Sequence, residues 1–181
     1  MTVFVQKPQF NLREKLTELE FGTLPYQKAP SGSVIQYVEA SHTKMSNRNS
    51  TSSTSYIGTD YELIISPRLF NSKILINANL SAHANNDGYI YVRVFNVTAN
   101  RYVRFNDGVN NDAMFESAAG GKSQWMMLPV EAVDVPESTS PQTYRLNMRS
   151  SNSSVTAYAG WSSSAANTNN FNFMSATEYK Q

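Results

Sequence analysis

The sequence has no cysteine among its 181 residues, which excludes disulfide bonds and thiolate metal sites. Charged residues are also scarce, because Asp, Glu, Lys and Arg make up 16% of the chain against about 25% in a typical soluble domain. Ser, Thr and Asn supply the polar surface instead, and with many Tyr and Phe residues this composition suits half-buried strands joined by turn-rich loops. The net charge of +1 argues against nucleic acid as a partner, since nucleic-acid binding requires a basic stripe that displaces counterions.

Long apolar runs are absent as well. No stretch is long and apolar enough to cross a membrane, so no membrane contact is predicted. The opening residues Met1–Gln6 lack the basic region and the sustained apolar run of a signal peptide, so a secretory route is unsupported. A chain of this length accommodates one good-sized domain, with or without an anchoring segment.

The N-terminal residues have a helical pattern of their own. Leu12, Leu16 and Leu19 fall at positions i, i+4 and i+7, which places them in one narrow stripe of a short helix. Asn11 is a suitable N-cap for this helix. A helix so short, below about 12–15 residues, is not stable alone in water. The leucine stripe is therefore predicted to pack against a partner, which is its own domain, a symmetry-related copy or another protein, and we interpret residues 1–31 as an anchor arm.

A linker at residues 24–32, containing two prolines, separates this arm from a region of different character. From residue 32 to residue 181 the pattern has period two, with short strand-like runs between turn signals. About eight strands with no long helix between them predict an all-β, antiparallel, jelly-roll-like sandwich of the kind that trimerises. The predicted strands cover residues 33–40, 59–66, 73–82, 89–97, 101–105, 125–135, 142–149, 155–161 and 172–178.

Several stretches in this region resemble, by their order, a known class of small β-domains. They are Gly32–Gln36, Ser50–Tyr56, Leu63–Pro67, Asn71–Ile76, Pro141–Leu146, Val155–Tyr158 and Ser175–Glu178. Together they resemble structural proteins of tailed phages, notably marine and cyanobacterial ones, which include tail-fibre-like, head-fibre and capsid decoration proteins. Residues 10–20 separately resemble the N-terminal anchors of cyanophage structural proteins.

This resemblance implies a virion component, commonly a homotrimer, that is assembled in the cytoplasm of a bacterial host. It implies docking on other virion proteins, in the capsid or the tail, through residues 1–30, and it supplies no catalytic residues. A rival interpretation is a receptor- or carbohydrate-binding tail-fibre tip. In that case the Asn-, Ser- and Thr-rich loops 41–55, 106–124 and 162–170 would contact the host surface.

Candidate catalytic groups are few and poorly spaced. The two histidines, His42 and His83, do not have the spacing of metal ligands, so no metal and no cofactor is predicted. The nearest carboxylate pairs are Asp60/Glu62, Asp107/Asp112 and Glu131/Asp134. Asp60 and Glu62 would share one face of a strand, where an outer polar face is favoured over the paired carboxylates of a glycosidase. The sequence is therefore interpreted as non-enzymatic.

Aromatic and arginine residues lie in the predicted strands, where the arginines either form interfacial pairs in a trimer or face solvent. The aromatic group could stack on sugars, but packing between sheets or in a subunit interface is favoured for it. The group comprises Tyr89, Tyr91, Phe95, Tyr102 and Phe105, and the strands also carry Arg93, Arg104, Arg145 and Arg149.

The segment Trp125, Met126, Met127 and Leu128 has apolar residues on both faces of its predicted strand. A central strand that is covered by the core on one side and by a neighbouring subunit on the other has this pattern. These four residues are therefore the predicted oligomer interface.

Overall fold

The structure is a computed structural model that describes residues 26–40, 48–103, 113–116, 126–160 and 172–181, with the backbone alone at 113–116 and Met126. A 3-10 turn at Tyr26–Lys28 precedes the strands. The strands are β1 Val34–Glu39, β2 Asn49–Thr51, β3 Ile57–Ile65, β4 Lys73–Ala84, β5 Tyr89–Asn96, β6 Arg101–Tyr102, β7 Ala113–Glu116, β8 Met126–Asp134, β9 Gln142–Ser150, β10 Ala157–Ala159 and β11 Phe173–Tyr179. No helix in the described part of the chain could span a membrane.

The strands form two antiparallel sheets. In the first sheet, the long strand β4 pairs along one edge with β8 and along the other with β11 and then β10. Strand β1 lies outside β11, and β2 lies outside β10. In the second sheet, β9 lies between β3 and β5, and the other edge of β5 pairs with β6 and then β7.

Three pairs of short strands each take the place of one longer strand, which we call a strand path. The pairs are β1 with β2, β6 with β7, and β10 with β11. Counted this way, the described part of the chain has eight strand paths. Numbered along the chain, the strand paths lie in the order first, eighth, third, sixth in one sheet and second, seventh, fourth, fifth in the other. This order is that of a jelly roll. The predicted all-β, antiparallel, jelly-roll-like sandwich is confirmed.

The core lies between the sheets and is built by alternation along the strands. In β5, Ile90, Val92 and Val94 are buried while their neighbours face outward. The largest apolar residues of the core include Tyr61, Leu63, Ile65, Ile74, Ile76, Leu80, Leu128, Val130, Tyr144, Leu146, Met148 and Met174. Full burial of a side chain of this size stabilises a fold by about 1.5–3 kcal/mol, so this cluster supplies the stability that cysteines do not.

The two ends of the sandwich carry different connections. The arm end holds Ser33, residues 66–72, 97–100 and 135–141, and the C-terminal residues 179–181. The loop end holds residues 52–56, 85–88 and 151–156. Because β4 has 12 residues and a strand rises about 3.3 Å per residue, the two ends are about 40 Å apart.

Two tight turns join consecutive strands. At the loop end, Asn86 and Asp87 both have positive φ, and the Gly88 amide donates to the Asn85 carbonyl. At the arm end, residues 97–100 join β5 to β6 in a hairpin. Here Asn100 has φ of 50°, a left-handed conformation that Asn adopts more readily than most residues.

Two buried carboxylates hold the arm end together. Asp134 accepts hydrogen bonds from Asn96 Nδ2 (3.0 Å) and the Tyr144 hydroxyl (2.9 Å), and it forms an ion pair with Arg101 (2.5 Å). Across β4, Glu178 accepts from Gln36 Nε2 (2.7 Å) and from the backbone amides of residues 68 and 69. Burial and the nearby Asp134 carboxylate raise the pKa of Tyr144. Since buried polar groups are costly unless paired, these contacts fix the loops at this end.

Some sequence predictions lie outside the described residues or need correction. The predicted helix with Leu12, Leu16 and Leu19 lies outside them, as do His42, Arg104, Phe105, Asp107, Asp112 and Trp125. The predicted loops 41–55 and 106–124 each contain a short strand, β2 and β7, that the sequence analysis missed. Both are brief segments that become strands through pairing with β10 and β5, not through a strong local pattern.

Candidate binding surface on the second sheet

The outward face of the second sheet gathers aromatic and arginine side chains. Along β5, Tyr89, Tyr91, Arg93 and Phe95 alternate with buried residues and so face away from the core. In the neighbouring strand β9, the register places Arg149 opposite Tyr91, Asn147 opposite Arg93 and Arg145 opposite Phe95. These side chains are partly buried or, at Asn147, buried. The face is therefore a continuous surface about 20 Å long, at about 3.3 Å per residue from Tyr89 to Phe95.

The arginines of this face stack on tyrosine rings. The Arg149 guanidinium lies 3.8 Å from the ring centroid of Tyr91 and 5.3 Å from that of Tyr56. The Arg93 guanidinium lies 5.1 Å from the Tyr56 centroid and 5.4 Å from the Tyr102 centroid. All four distances are within the range of a cation–π contact, about 6 Å. Tyr56 thus lies between the two guanidinium groups.

Ring-to-ring contacts extend the row in both directions. Tyr102 packs at 5.4 Å from Tyr56 and edge-on at 4.9 Å from Phe95, and Tyr89 lies 6.5 Å from Tyr91. We call this row the arginine–tyrosine ladder. It consists of Tyr56, Tyr89, Tyr91, Arg93, Phe95, Tyr102 and Arg149.

The face that carries the ladder holds both arginine and acidic side chains. Besides Arg93 and Arg149, Arg145 faces outward from β9, where its Nε donates to Asn147 Oδ1 (3.2 Å) and Glu62 of β3 lies opposite it. Burial raises the pKa of Tyr56, although Arg149 and Arg93 act in the opposite direction. The Tyr56 phenol is therefore neutral at physiological pH, and the ladder carries the charge of its arginines.

The guanidinium groups determine what this surface can do chemically. A guanidinium is planar and carries five N–H donors in its plane, so it can stack on a ring with its face and still donate from its edges. Such edges match the paired oxygens of carboxylate, sulfate or phosphate groups. The ladder consists of stacking and hydrogen-bonding groups, and its seven residues include no nucleophile paired with a base.

The packing expected between the sheets for the aromatic group is wrong for four of its members. Tyr89, Tyr91, Phe95 and Tyr102 lie on the outward face, because inward positions of β5 are taken by Ile and Val. Sugar stacking and packing in a subunit interface both stay predictions for these four side chains. Sequence reasoning missed Tyr56, which precedes β3 and joins the ladder only through the fold.

A second, smaller stack lies on the outward face of the first sheet. The Arg48 guanidinium is 4.3 Å from the Tyr158 centroid, and the His83 ring is 5.3 Å from Tyr158 on the adjacent strand. Burial lowers the pKa of His83, and the nearby Arg48 charge lowers it further. His83 is therefore a buried strand residue that favours its neutral form.

Two of the three predicted carboxylate pairs, Asp60/Glu62 and Glu131/Asp134, lie within the described residues. Asp60 and Glu62 both face outward from β3, which agrees with the favoured outer polar face. Glu131 is exposed whereas Asp134 is buried, so these two carboxylates point to opposite sides of β8. In the described part of the chain, no group of three His, Asp or Glu side chains could hold a metal ion.

The predicted oligomer interface falls on β8, which pairs only with β4 among the described strands. Strand β8 is thus an edge strand of the described sheet and not the expected central strand. Leu128 points into the core, whereas Met127 faces outward with 42% of its surface exposed. The side chains of Trp125 and Met126 lie outside the described residues. The interface itself stays a prediction, with Met127 as its exposed member.

Comparison with known proteins gives likenesses of fold alone. No family model and no curated protein matches the sequence. Among solved structures, the chain is similar to the VP2 subviral particle of infectious bursal disease virus, with 12% identity and a TM-score of 0.41, over 80% of this chain and 37% of that one. It is also similar to the structure of the Gx strain of that virus, with 10% identity and a TM-score of 0.39, over 83% of this chain and 37% of that one. The chain therefore spans about a third of the length of these virus chains.

Proposed function

We propose that this chain is a non-enzymatic structural component of a virus particle, of the tailed-phage kind that its sequence resembles. In this proposal it is a homotrimeric capsid decoration, head-fibre or short tail-fibre protein, assembled in the cytoplasm of a bacterial host. Residues 1–30 attach it to other virion proteins, and the jelly roll projects outward.

The observation that carries the proposal is the polarity of the sandwich. The chain enters at the arm end, where the Gly32 amide donates to the Lys180 carbonyl (2.7 Å) and the Lys180 amide donates to the Ser33 carbonyl (3.0 Å). The Lys180 ammonium also donates to the carbonyl of Gln27 in the 3-10 turn. The last arm residues are thus held beside the C-terminal strand. An attachment element here leaves the loop end about 40 Å away and free to face outward.

The buried carboxylates support a structural role for the arm end. Asp134 and Glu178 direct their oxygens to protein donors, which fixes the connections beside the attachment point. A rigid mount suits a projecting module, because each buried and hydrogen-bonded carboxylate resists local opening. We expect no turnover of glycans, peptides or phosphoesters. Hydrolysis that disappears in Asp60→Asn or Glu62→Gln would contradict the non-enzymatic assignment.

Removal of residues 1–30 tests the attachment role. The truncated chain should keep the melting behaviour of the jelly roll and lose binding to particles that lack the protein. Leu16→Asp should weaken particle binding less severely, since burial of one leucine contributes about 1.5–3 kcal/mol. A matched control is Ile57→Asp, which places the same charge on an exposed aliphatic residue beside the loop end.

Two outcomes would contradict the attachment role. A truncated chain that fails to fold would show that residues 1–30 belong to the core of the sandwich. A truncated chain that still decorates particles would place the attachment surface elsewhere. Electron microscopy of intact particles would then locate the protein directly.

A second candidate function is a receptor- or carbohydrate-binding tail-fibre tip. The observation that favours it is that chain segments beside the predicted contact loops lie at the loop end of the sandwich. Residues 52–55, at the end of the first of these loops, lie at the loop end, and so does Glu116, which is opposite Tyr89. A glycan array and a host-cell adsorption assay with the purified chain distinguish this function from a purely structural one.

A further inference from the structure

We infer that the outward face of the first sheet is the surface through which copies of this chain associate. The face is formed by β1, β11, β4 and β8, which lie side by side in that order. The inference deepens the proposed function, on whose self-association it rests, because it names the surface that a second copy covers. We call this surface the first-sheet face.

Large apolar side chains are exposed on the first-sheet face. Tyr37 of β1, Phe173 of β11 and Met127 of β8 have 55%, 49% and 42% of their surface exposed. All three point away from the core, because the residues that alternate with them in each strand pack into it. The outward face of an antiparallel sheet that contacts water is usually polar. The first-sheet face departs from that pattern in three of its four strands.

The strand register makes these side chains parts of one surface. Phe173 lies opposite Asn79 of β4, and Asn79 lies opposite Pro129 of β8, an exposed residue two positions from Met127. A second row, nearer the arm end, consists of Tyr37, Thr177, Leu75 and Val133. The two rows are four positions apart along β4, which is about 13 Å. A contiguous apolar surface of this kind marks an interaction site, whereas single exposed apolar residues do not.

Charged groups occur only at the rim of the first-sheet face, among the described residues of its four strands. Glu39 lies on the outer strand β1, Glu131 on the outer strand β8, and Lys73 at the arm end of β4. The other two carboxylates of these strands, Asp134 and Glu178, are buried. Between the apolar rows, the central strands carry uncharged Ser and Asn side chains. A centre without charge inside a charged rim is the usual arrangement of an interface between proteins.

The size of the first-sheet face suits a whole folded partner. Four strands span about 19 Å, and the outward positions of β4 from Lys73 to Ser81 span about 26 Å. Because accessible surface follows the relief of the side chains, it exceeds the projected area of about 500 Å² and approaches the roughly 800 Å² that each partner buries in a standard interface.

Two observations identify the partner as a second copy of this chain. The exposed member of the predicted oligomer interface, Met127, lies on the first-sheet face, so the face continues that interface over the neighbouring strands. The net charge of +1 also means that identical copies repel one another little, whereas a large net charge keeps chains apart.

The test follows association of the purified full chain over a dilution series, by sedimentation velocity and by hydroxyl-radical footprinting. Methionine and aromatic side chains are readily oxidised, so Tyr37, Phe173 and Met127 report whether the face is covered. We expect an oligomer that dissociates on dilution, and oxidation of these three residues that is lost as the oligomer forms. Oxidation of Phe70, which is 59% exposed in an arm-end connection, should stay the same at every concentration.

The variants Phe173→Lys and Tyr37→Lys should each raise the dissociation constant between copies by about tenfold or more, because each places an ammonium group in a surface that excludes water. Phe70→Lys is the matched control, since it makes the same change at an exposed phenylalanine outside the face, and it should leave association unchanged. If a face variant does not fold, the footprint of the unaltered chain decides the question.

Four outcomes would overturn the inference. They are a monomer at every concentration, an oligomer that both face variants leave intact, equal weakening by Phe70→Lys, and protection of the three side chains in the dissociated chain, which would show that the chain covers its own face. An oligomer that survives both face variants would leave the proposed self-association standing and place it elsewhere. Removal of residues 1–30 tests the attachment role separately.

Discussion

Replacement of Glu178 with Gln changes one buried group at the arm end while keeping its size. The carboxylate is fully buried and accepts four contacts, from Gln36 Nε2 at 2.7 Å, from the Arg68 amide at 2.9 and 3.0 Å, and from the Leu69 amide at 3.0 Å. All of these partners are donors. A glutamine amide offers one oxygen and one NH₂ group, so in either orientation its NH₂ must face a donor.

The expected cost follows from those contacts. A hydrogen bond to a charged group contributes about 1.5–3 kcal/mol, and a buried donor without an acceptor costs about 1–3 kcal/mol. Since the variant loses at least one such bond, we expect a loss of about 2–4 kcal/mol in the free energy of unfolding. For a chain of this size that corresponds to a fall in Tm of roughly 5–12 °C.

The assay is denaturant and thermal unfolding followed by circular dichroism. Glu131→Gln is the control, because it makes the same chemical change on an exposed position of the first sheet and should alter stability by less than about 0.5 kcal/mol. If Glu178→Gln unfolds at the same denaturant concentration as Glu131→Gln, the buried carboxylate does not stabilise the arm end and the reasoning fails.

Three further predictions concern other parts of the molecule. Gly88→Ala should destabilise the fold by about 1–3 kcal/mol, because a Cβ there would lie 2.3 Å from both γ-carbons of Val155; chemical denaturation measures this, and the added change Val155→Ala should recover part of the loss. The lowered pKa of His83 means that the unfolded chain takes up its proton first as the pH falls below about 6.5. Stability should therefore decrease with falling pH, and His83→Gln should flatten that part of the unfolding profile. Sedimentation velocity should show a trimer at micromolar concentration, which Met127→Lys weakens; a stable monomer of the unaltered chain would exclude the trimer.

Much of the fold could be predicted from the sequence, because alternation along a strand reports directly on burial. Residues 89–97 show this well, since isoleucine and valine at every second position mark the core face of β5. The same rule could have identified Asp134 as buried, because it continues the inward series of Leu128, Val130 and Ala132 in β8. An acidic residue at the end of an apolar series is a usable signal.

Other features have no local signal. Strand β2 has the sequence Asn-Ser-Thr and becomes a strand only because β10 lies beside it. Tyr56 and Arg149 are 93 positions apart in the numbering of the chain, and their contact depends on the crossing from the first sheet to the second. The ladder could be suspected from its composition, but its membership required the register of β5 and β9.

The strand paths that are divided into two short strands indicate where residues can be inserted into this protein. The path formed by β10 and β11 leaves β4 at Gly160, whose amide donates to the Ser81 carbonyl (2.7 Å), and returns at Asn172, whose Oδ1 accepts from the Ser81 amide (2.7 Å). One residue of β4 therefore holds both ends of the intervening eleven positions. Because both ends are fixed on the same residue of β4, the register of β10 and of β11 against β4 does not depend on how many residues stand between positions 160 and 172. The site is thus suited to diversification in nature and to insertion of a peptide tag in the laboratory.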